Sequence, residues 1–215
     1  AWVETDGTVI TGLGGRLRGG VLIAADGPRS PVGGACGCVN RDIVETRQIT
    51  VPLSAPLAST DIFLAAEIVG GYGWLFPKGD VANLGVGVAP AARRQLKPIL
   101  DRLHAALVDA GRVGAEVLGH TGGAIPVGGL GATVARLGET PVLLAGDAAG
   151  LANPVTGAGI SSAVISGGLA GEAAARVGQE QCPGGFRLIS NFGYDGMQSQ
   201  EHAHVHILGG MFLGE

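Results

Sequence analysis

Between Tyr72 and Val88 the chain reads Tyr72-Gly-Trp74-Leu-Phe76-Pro77, then seven residues, then Gly85-Val-Gly87, and this stretch limits what the rest can build. Tyr72, Trp74 and Phe76 recur at a period of two, so in an extended segment all three rings leave the same face of a sheet. Three of the nine aromatic residues thus share one spot. Such a triplet alone is most simply a sheet face packed on a core. Its continuation says more: Lys78-Gly79-Asp80 reads as a turn, and Val81 to Val88 as a second apolar strand interrupted by glycines. A hairpin with an aromatic floor and a flat, glycine-opened partner suits a long apolar ligand.

Short β-rich runs precede it. Val21-Leu-Ile-Ala-Ala25 stops on Asp26-Gly27, as a buried parallel strand does when its carboxyl end faces a crevice. From Ile43 to Val88 the pattern is strand-like, with Ile49 to Leu53 and Ile62 to Val69 preceding the aromatic hairpin. From Pro90 a helix is expected, with Leu96, Ile99, Leu100, Leu103 and Leu107 on one stripe and Pro98 bending it or marking its true start. Pro141-Val-Leu-Leu-Ala145 is another buried strand, ending in Gly146-Asp147. A Gly/Ala/Ser-rich helix is expected from about Gly157 to Val177, although each glycine costs up to about 1 kcal/mol of helix propensity.

Composition sets outer limits. In 215 residues there are 40 glycines, 46% hydrophobic residues and only 15% charged ones, with a net charge of −4. That charge disfavours nucleic acid and simple electrostatic attachment to anionic lipid. No window suits a membrane-spanning helix, because the most apolar region, 141–175, is broken by Asp147, Asn153, Pro154 and glycines; peripheral membrane contact stays open. Three cysteines make no disulfide framework, and Cys36-Gly-Cys38 lacks the second pair of a zinc site, so no metal is expected and the thiols read as reduced and cytoplasmic. The first residues carry no signal-peptide pattern.

Two strand ends carry acids. A carboxylate just past a parallel strand, as at Asp26 and Asp147, can accept hydrogen bonds from sugar hydroxyls, while the adjoining Gly27 and Gly146 let backbone approach a ligand. Asp-Gly alone is commonly just a turn. The loop Asn153-Pro154-Val155-Thr156-Gly157-Ala158-Gly159-Ile160 opens the glycine-rich helix, so its free N–H groups would face any anionic occupant.

The pattern Tyr-x-Trp-x-Phe-Pro-x(7)-Gly-x-Gly resembles the substrate-pocket signature of the geranylgeranyl reductase family of flavoproteins, which are similar in fold to p-hydroxybenzoate hydroxylase. The two acidic strand ends, in this order around an aromatic sheet, look like that family's downstream FAD motifs. The resemblance implies an oxidoreductase that uses FAD, with NADPH or another reductant, to reduce isolated double bonds in prenyl lipids. It implies Tyr72, Trp74, Phe76, Pro77, Gly85 and Gly87 as the lipid-pocket wall, Asp147 on the ribityl chain, and Asp26-Gly27 near the pyrophosphate and the nicotinamide donor. Gly146 belongs to the Asp147 motif, and Pro154, Gly157, Gly159 and Ile160 would lie beside the isoalloxazine. One departure is plain: the family's opening strand, Gly-x-Gly-x-x-Gly and helix have no counterpart here, since Gly12-Leu-Gly14-Gly15 is too short and misplaced. The expectation is a chain lacking that adenine-binding unit.

From Gly185 the chain changes character. Phe186 to Asn191 is β-like, and His202, His204 and His206 recur at a period of two. With Asn191, Gln198 and Ser199, this run resembles the end of the histidine-triad nucleotide hydrolases. The resemblance implies His204 as nucleophile toward an α-phosphate, His202 and His206 supporting it, and Asn191, Gln198 and Ser199 on phosphate or leaving group. The expected architecture is a mixed α/β fold: a partial Rossmann-like FAD layer (1–34 and 138–178), an antiparallel substrate-binding sheet with one amphipathic helix (35–137), and a β-rich tail (179–215). Three readings stand: a prenyl-lipid reductase, a histidine-triad hydrolase or phosphoramidase confined to the tail, and an inactive chimeric remnant.

Overall fold

The computed structural model describes residues 2–4, 9–10, 16–17, 19–181, 183–189 and 206–209. In chain order the elements are β1 (Trp2–Val3), β2 (Val9–Ile10), β3 (Arg16–Leu17), β4 (Leu22–Ala24), α1 (Pro31–Ala35), β5 (Ile43–Pro52), β6 (Asp61–Phe63), β7 (Gly73–Lys78) and β8 (Val81–Val88). A 3-10 segment, Pro90–Gln95, leads into α2 (Leu96–Asp109), followed by β9 (Gly119–Pro126), β10 (Val134–Leu137) and β11 (Thr140–Leu144). A 3-10 turn, Gly146–Ala149, then precedes α3 (Ile160–Gln181), β12 (Phe186–Ile189) and β13 (His206–Gly209). The fold is mixed α/β, as the sequence pattern implies. Two units are distinguished, residues 43–125 and the remainder.

Residues 43–125 form a five-stranded sheet in the order β6-β7-β8-β5-β9. Strands β7 and β8 close on Lys78↔Val81, so Gly79 and Asp80 make a two-residue hairpin loop, with Gly79 at φ 65°. Alternation divides the residues of β8. Ala82, Leu84, Val86 and Val88 are wholly buried and join Ile49, Val51 and Leu75 under the apolar stripe of α2, where Leu96, Ile99, Leu100 and Leu107 are buried. Burying each Leu or Ile side chain is worth about 1.5–3 kcal/mol, so this layer is the main source of the unit's stability. Pro98 sits in the first turn of α2, where its missing N–H would have had no helical acceptor, so it marks the start rather than a bend.

One strand expectation changes. Strand β5 begins at Ile43, where the strand-like pattern begins. Strand β6 ends at Phe63, not Val69, because the Ile68 N–H turns back onto the Ala65 carbonyl (3.0 Å). That turn delivers Ile68 to the core beneath α2 while leaving Leu64 and Val69 exposed.

In the other unit, β4 and β11 pair in parallel, Leu22↔Val142 to Ala24↔Leu144, with β10 antiparallel on the far side of β11. Ala24, Leu137, Val142, Leu144 and Ala149 form its core, with Val32, Cys36 and Cys38 packed against it. Cys36 and Cys38 are free thiols, and burial, then Cys38 and Asp26, push the Cys36 thiol pKa up, away from thiolate chemistry. Among the described residues no cluster of His, Cys, Asp or Glu could hold a metal ion, and no helix is long and apolar enough to cross a membrane.

Candidate functional site

On the sheet of residues 43–125, the face turned away from α2 carries the aromatic residues. Cross-strand pairing sets Ile62, Trp74, Gly85 and Gln48 in one row, and Phe76, Asn83 and Thr50 in the next. Trp74 stacks on Phe76 with centroids 5.9 Å apart and planes at 24°, and meets Tyr72 edge-on at 5.9 Å and 69°. The expected common face is real, although Tyr72 lies just before β7. Trp74 is 8% exposed, whereas Phe76 at 36% and Ile62 at 50% still meet solvent. Burial pushes the Tyr72 phenol pKa above its ordinary value. Pro77 falls two residues past the β6 pairing, which stops at Leu75, so its absent N–H interrupts no ladder on that side.

The glycines do something other than open the floor. A Cβ at Gly85 would lie 2.3 Å from Trp74 Cζ2 and 2.4 Å from Cε2, so the indole lies flat on the bare backbone of β8. At Gly87 a Cβ would meet Val44 Cγ1 at 2.9 Å and Trp74 Cζ3 at 3.7 Å. Space that the sequence assigned to a ligand is therefore filled by the ring. The Trp74 Nε1–H donates to Gln48 Oε1 (3.0 Å), and Gln48 Nε2 donates to Thr121 Oγ1 (3.0 Å). Thr50 Oγ1 donates to Asn83 Oδ1 (3.1 Å). The face is thus half aromatic and half an amide and hydroxyl network. Gln48 was missed by sequence reasoning, since one glutamine in a strand gives no signal until its cross-strand partner is known.

In the other unit the parallel pairing brings the two acidic strand ends side by side, with the Ala145 N–H bonded to the Ala24 carbonyl (2.9 Å) just before the loops diverge. Asp26 Oδ2 accepts the Val32 N–H (3.1 Å), and Ser30 Oγ accepts the Gly33 N–H (2.7 Å), so both cap α1. Asp26 Oδ1 is buried and has no hydrogen-bond partner among the described residues. Asp147 is half-buried, and desolvation raises its carboxyl pKa. Its Oδ1 lies close to Gly159, where a Cβ would come within 3.1 Å. Gly146 presents its N–H to Ser166 Oγ (2.9 Å), and that hydroxyl donates to the Ser162 carbonyl (2.7 Å), fixing the 3-10 turn against α3.

The loop before α3 corrects one expectation. Asn153 Oδ1 accepts the N–H groups of Val155 and Thr156 (both 2.9 Å), the Asn153 carbonyl accepts from Gly157 (2.8 Å), and Thr156 Oγ1 accepts from Ala158 (3.3 Å). Those donors are used within the loop, and α3 begins at Ile160 rather than Gly157. The N–H groups that a helix start leaves without helical acceptors are those of Gly159 to Ser162, because the first i to i−4 bond is Ala163 to Gly159. Pro154 and Ile160 are exposed, and Gly157 and Gly159 half-buried.

Asn40 is a second residue that sequence reasoning missed. Its Nδ2 donates to the Pro28 carbonyl (2.9 Å) and the Asp147 carbonyl (2.8 Å), joining the loops that hold the two acids. In the tail, β12 pairs antiparallel with β13, Ile189↔His206 to Phe186↔Gly209. His206 is on that strand, while Asn191, Gln198, Ser199, His202 and His204 lie outside the described residues.

No family model matches the chain. It is similar to digeranylgeranylglycerophospholipid reductase of Methanocella arvoryzae, 34% identical over 161 residues that cover 72% of this chain and 40% of that protein. Digeranylgeranylglycerophospholipid reductase 1 of Methanopyrus kandleri is 34% identical over 179 residues, covering 76% and 45%. Among solved structures, a geranylgeranyl bacteriochlorophyll reductase-like protein from Thermoplasma acidophilum superposes with a TM-score of 0.64 at 28% identity, covering 75% of this chain and 42% of that one. A flavin-dependent halogenase from Xanthomonas campestris, at 14% identity, TM-score 0.52 and coverages of 74% and 31%, shares the fold alone. The chain spans less than half the length of these curated relatives. With an aromatic sheet face and paired acidic strand ends, the chain is a homologue of the digeranylgeranylglycerophospholipid reductases over the part of them that it covers.

Proposed function

We propose that the chain serves the flavin-dependent reduction of prenyl double bonds in isoprenoid lipids, with FAD as the flavin, NADPH or another reductant as electron source, and peripheral contact with the membrane that carries the lipid. The observation that carries this reading is the stacked Trp74–Phe76 face, whose exposed half is apolar and whose indole is held from beneath by Gly85. The names of the reductase relatives support the substrate class. An aromatic wall of this kind excludes water from an apolar chain and holds it by area rather than by polar contacts, which suits a tail that offers no hydrogen bonds.

The strand-end residues fit a flavin nucleotide. Asp26 Oδ1, buried without a donor among the described residues, has room in its bonding for a ligand hydroxyl, and the Asp147 carboxylate gains most from a donor brought to it, because burial already disfavours its charge. The N–H groups of Gly159 to Ser162 suit an electron-rich ring edge. Gly27, Gly146, Pro154, Gly157 and Ile160 complete the cofactor set. Bound FAD, once reduced by that electron source, would supply the hydride for one alkene carbon, and a proton would be added to the other.

The test has two stages. FAD titration followed by flavin fluorescence is expected to show saturable binding; the protein is then reduced anaerobically and given a digeranylgeranyl glycerophospholipid, whose mass is expected to rise by one H2 per reduced bond. Phe76→Ala is expected to raise KM for the lipid several-fold and leave FAD binding unchanged. Protein that stays colourless after incubation with FAD, or lipid of unchanged mass, would overturn the reading.

A further inference from the structure

The backbone ladder that aligns β4 with β11 ends at the Ala145 N–H to Ala24 carbonyl bond, and the two loops that follow carry Asp26 and Asp147. Beyond that point, one side-chain amide reaches both loops. The two Nδ2 hydrogens of Asn40 go to carbonyls on different loops, Pro28 at 2.9 Å and Asp147 at 2.8 Å, so a single planar group fixes the distance between them. Its other end is closely packed. The Asn40 Oδ1 lies over Gly150, where a Cβ would come within 2.8 Å of it, and Gly150 stands at φ 73°, in the left-handed region that favours glycine. Gly150 also closes the 3-10 turn of Asp147, its N–H bonding the Asp147 carbonyl at 3.1 Å. The Asp147 carbonyl therefore receives two donors, one from its own turn and one from Asn40, and its peptide orientation is set from both sides. The Pro28 carbonyl is anchored by the same amide two residues after Asp26.

We propose that Asn40 is a positioning residue that sets the spacing of the two strand-end loops and thereby the separation of the Asp26 and Asp147 carboxylates for a ligand that spans them. The ligand part rests on the flavin reading given above; the clamp itself does not. Aspartate is nearly the same size as asparagine but has no hydrogen to donate, so Asn40→Asp sets a carboxylate oxygen against two carbonyls. The substitution removes both bonds and adds repulsion without changing volume.

Hydrogen exchange and FAD titration on the full chain, wild type against Asn40→Asp and Asn40→Ala, test this together. Faster exchange is expected in both 26–33 and 146–151, with β5 to β8 unchanged, and an FAD Kd weakened about tenfold, as losing one to two net hydrogen bonds implies. Exchange unchanged in both loops, or raised equally across the whole chain, would overturn the clamp, the latter by showing only a general loss of stability. Loops that loosen without any change in Kd would overturn its bearing on the ligand. If the wild type binds no FAD, the flavin reading fails, and the exchange result decides the clamp alone. Should Asn40→Asp fail to fold, Asn40→Ala, which removes the donors without adding charge, gives the same comparison.

Discussion

Trp74 and Gly85 form one feature divided between two strands: the indole needs a bare backbone to lie on, and the glycine, which lowers the strand's own stability, is offset by the ring above it. Gly85→Ala is therefore expected to destabilise the protein by about 1–3 kcal/mol, because the methyl would enter the ring rather than empty space. Urea unfolding measures that loss, and a red-shifted Trp74 emission with the Gln48 bond broken would show where it arises. A second residue-scale expectation concerns Asp147. Burial raises its pKa above the ordinary 3.8, so between the unfolded and folded values the folded chain holds a proton that the unfolded chain releases. The favourable contribution is complete below the unfolded value and is lost as pH rises through the folded one. Asp147→Asn is expected to remove that loss, making the variant more stable than wild type at neutral pH without flavin and closer to it near pH 4, as paired urea titrations would show. Period two in Tyr72, Trp74 and Phe76 was legible because strand geometry dictates it. The role of Gly85 was not: a strand glycine is equally a bulge, an opening for a ligand or a seat for a ring, and only the register decides.

Elements followed the sequence where one local rule dominated. The apolar stripe of α2 and the hairpin β7–β8 appeared where periodicity and a Gly-Asp turn acted without competition, although α2 begins at Leu96 after a 3-10 segment rather than at Pro90, and Lys78 belongs to β7 rather than to the turn. Where another acceptor competed for the backbone N–H groups, the expectation slipped: the Asn153 side chain drew the donors of 155 and 156 into a loop and delayed α3, and the backbone turn at Ala65 cut β6 short. Helix α3 retains an unexplained expense. Gly167, Gly168 and Gly171 lie in its middle, and a Cβ at any of them would meet nothing within 4 Å in the described residues. Alanine there gains helix propensity and meets no clash, so Gly168→Ala is expected to raise stability by up to about 1 kcal/mol. Thermal unfolding settles it; a destabilised variant would mean that something packs against that face closely enough to need the glycine.

At the scale of the whole molecule, residues 43–125 carry their own sheet, their own covering helix and a core of thirteen buried side chains, all supplied from within that span. Its two ends also meet: Gln48 bonds Thr121 and Thr46 Oγ1 bonds the Gly123 carbonyl, so β5 and β9 run side by side and the first and last residues of the span are neighbours. A segment whose ends are adjacent can be cut out without leaving a stretched chain, and one that buries its apolar face internally loses little by the cut. The excised segment 43–125 is accordingly expected to fold alone. It contains one tryptophan, Trp74, because the other in the chain is Trp2, so its fluorescence reports the aromatic face without interference. Urea unfolding followed by that fluorescence and by far-UV circular dichroism is expected to give a single coincident transition. Gly85→Ala in the same segment should move that midpoint down as it does in the full chain. Non-coincident curves, or emission already red-shifted without denaturant, would show that the sheet depends on residues outside 43–125 to hold its indole in place.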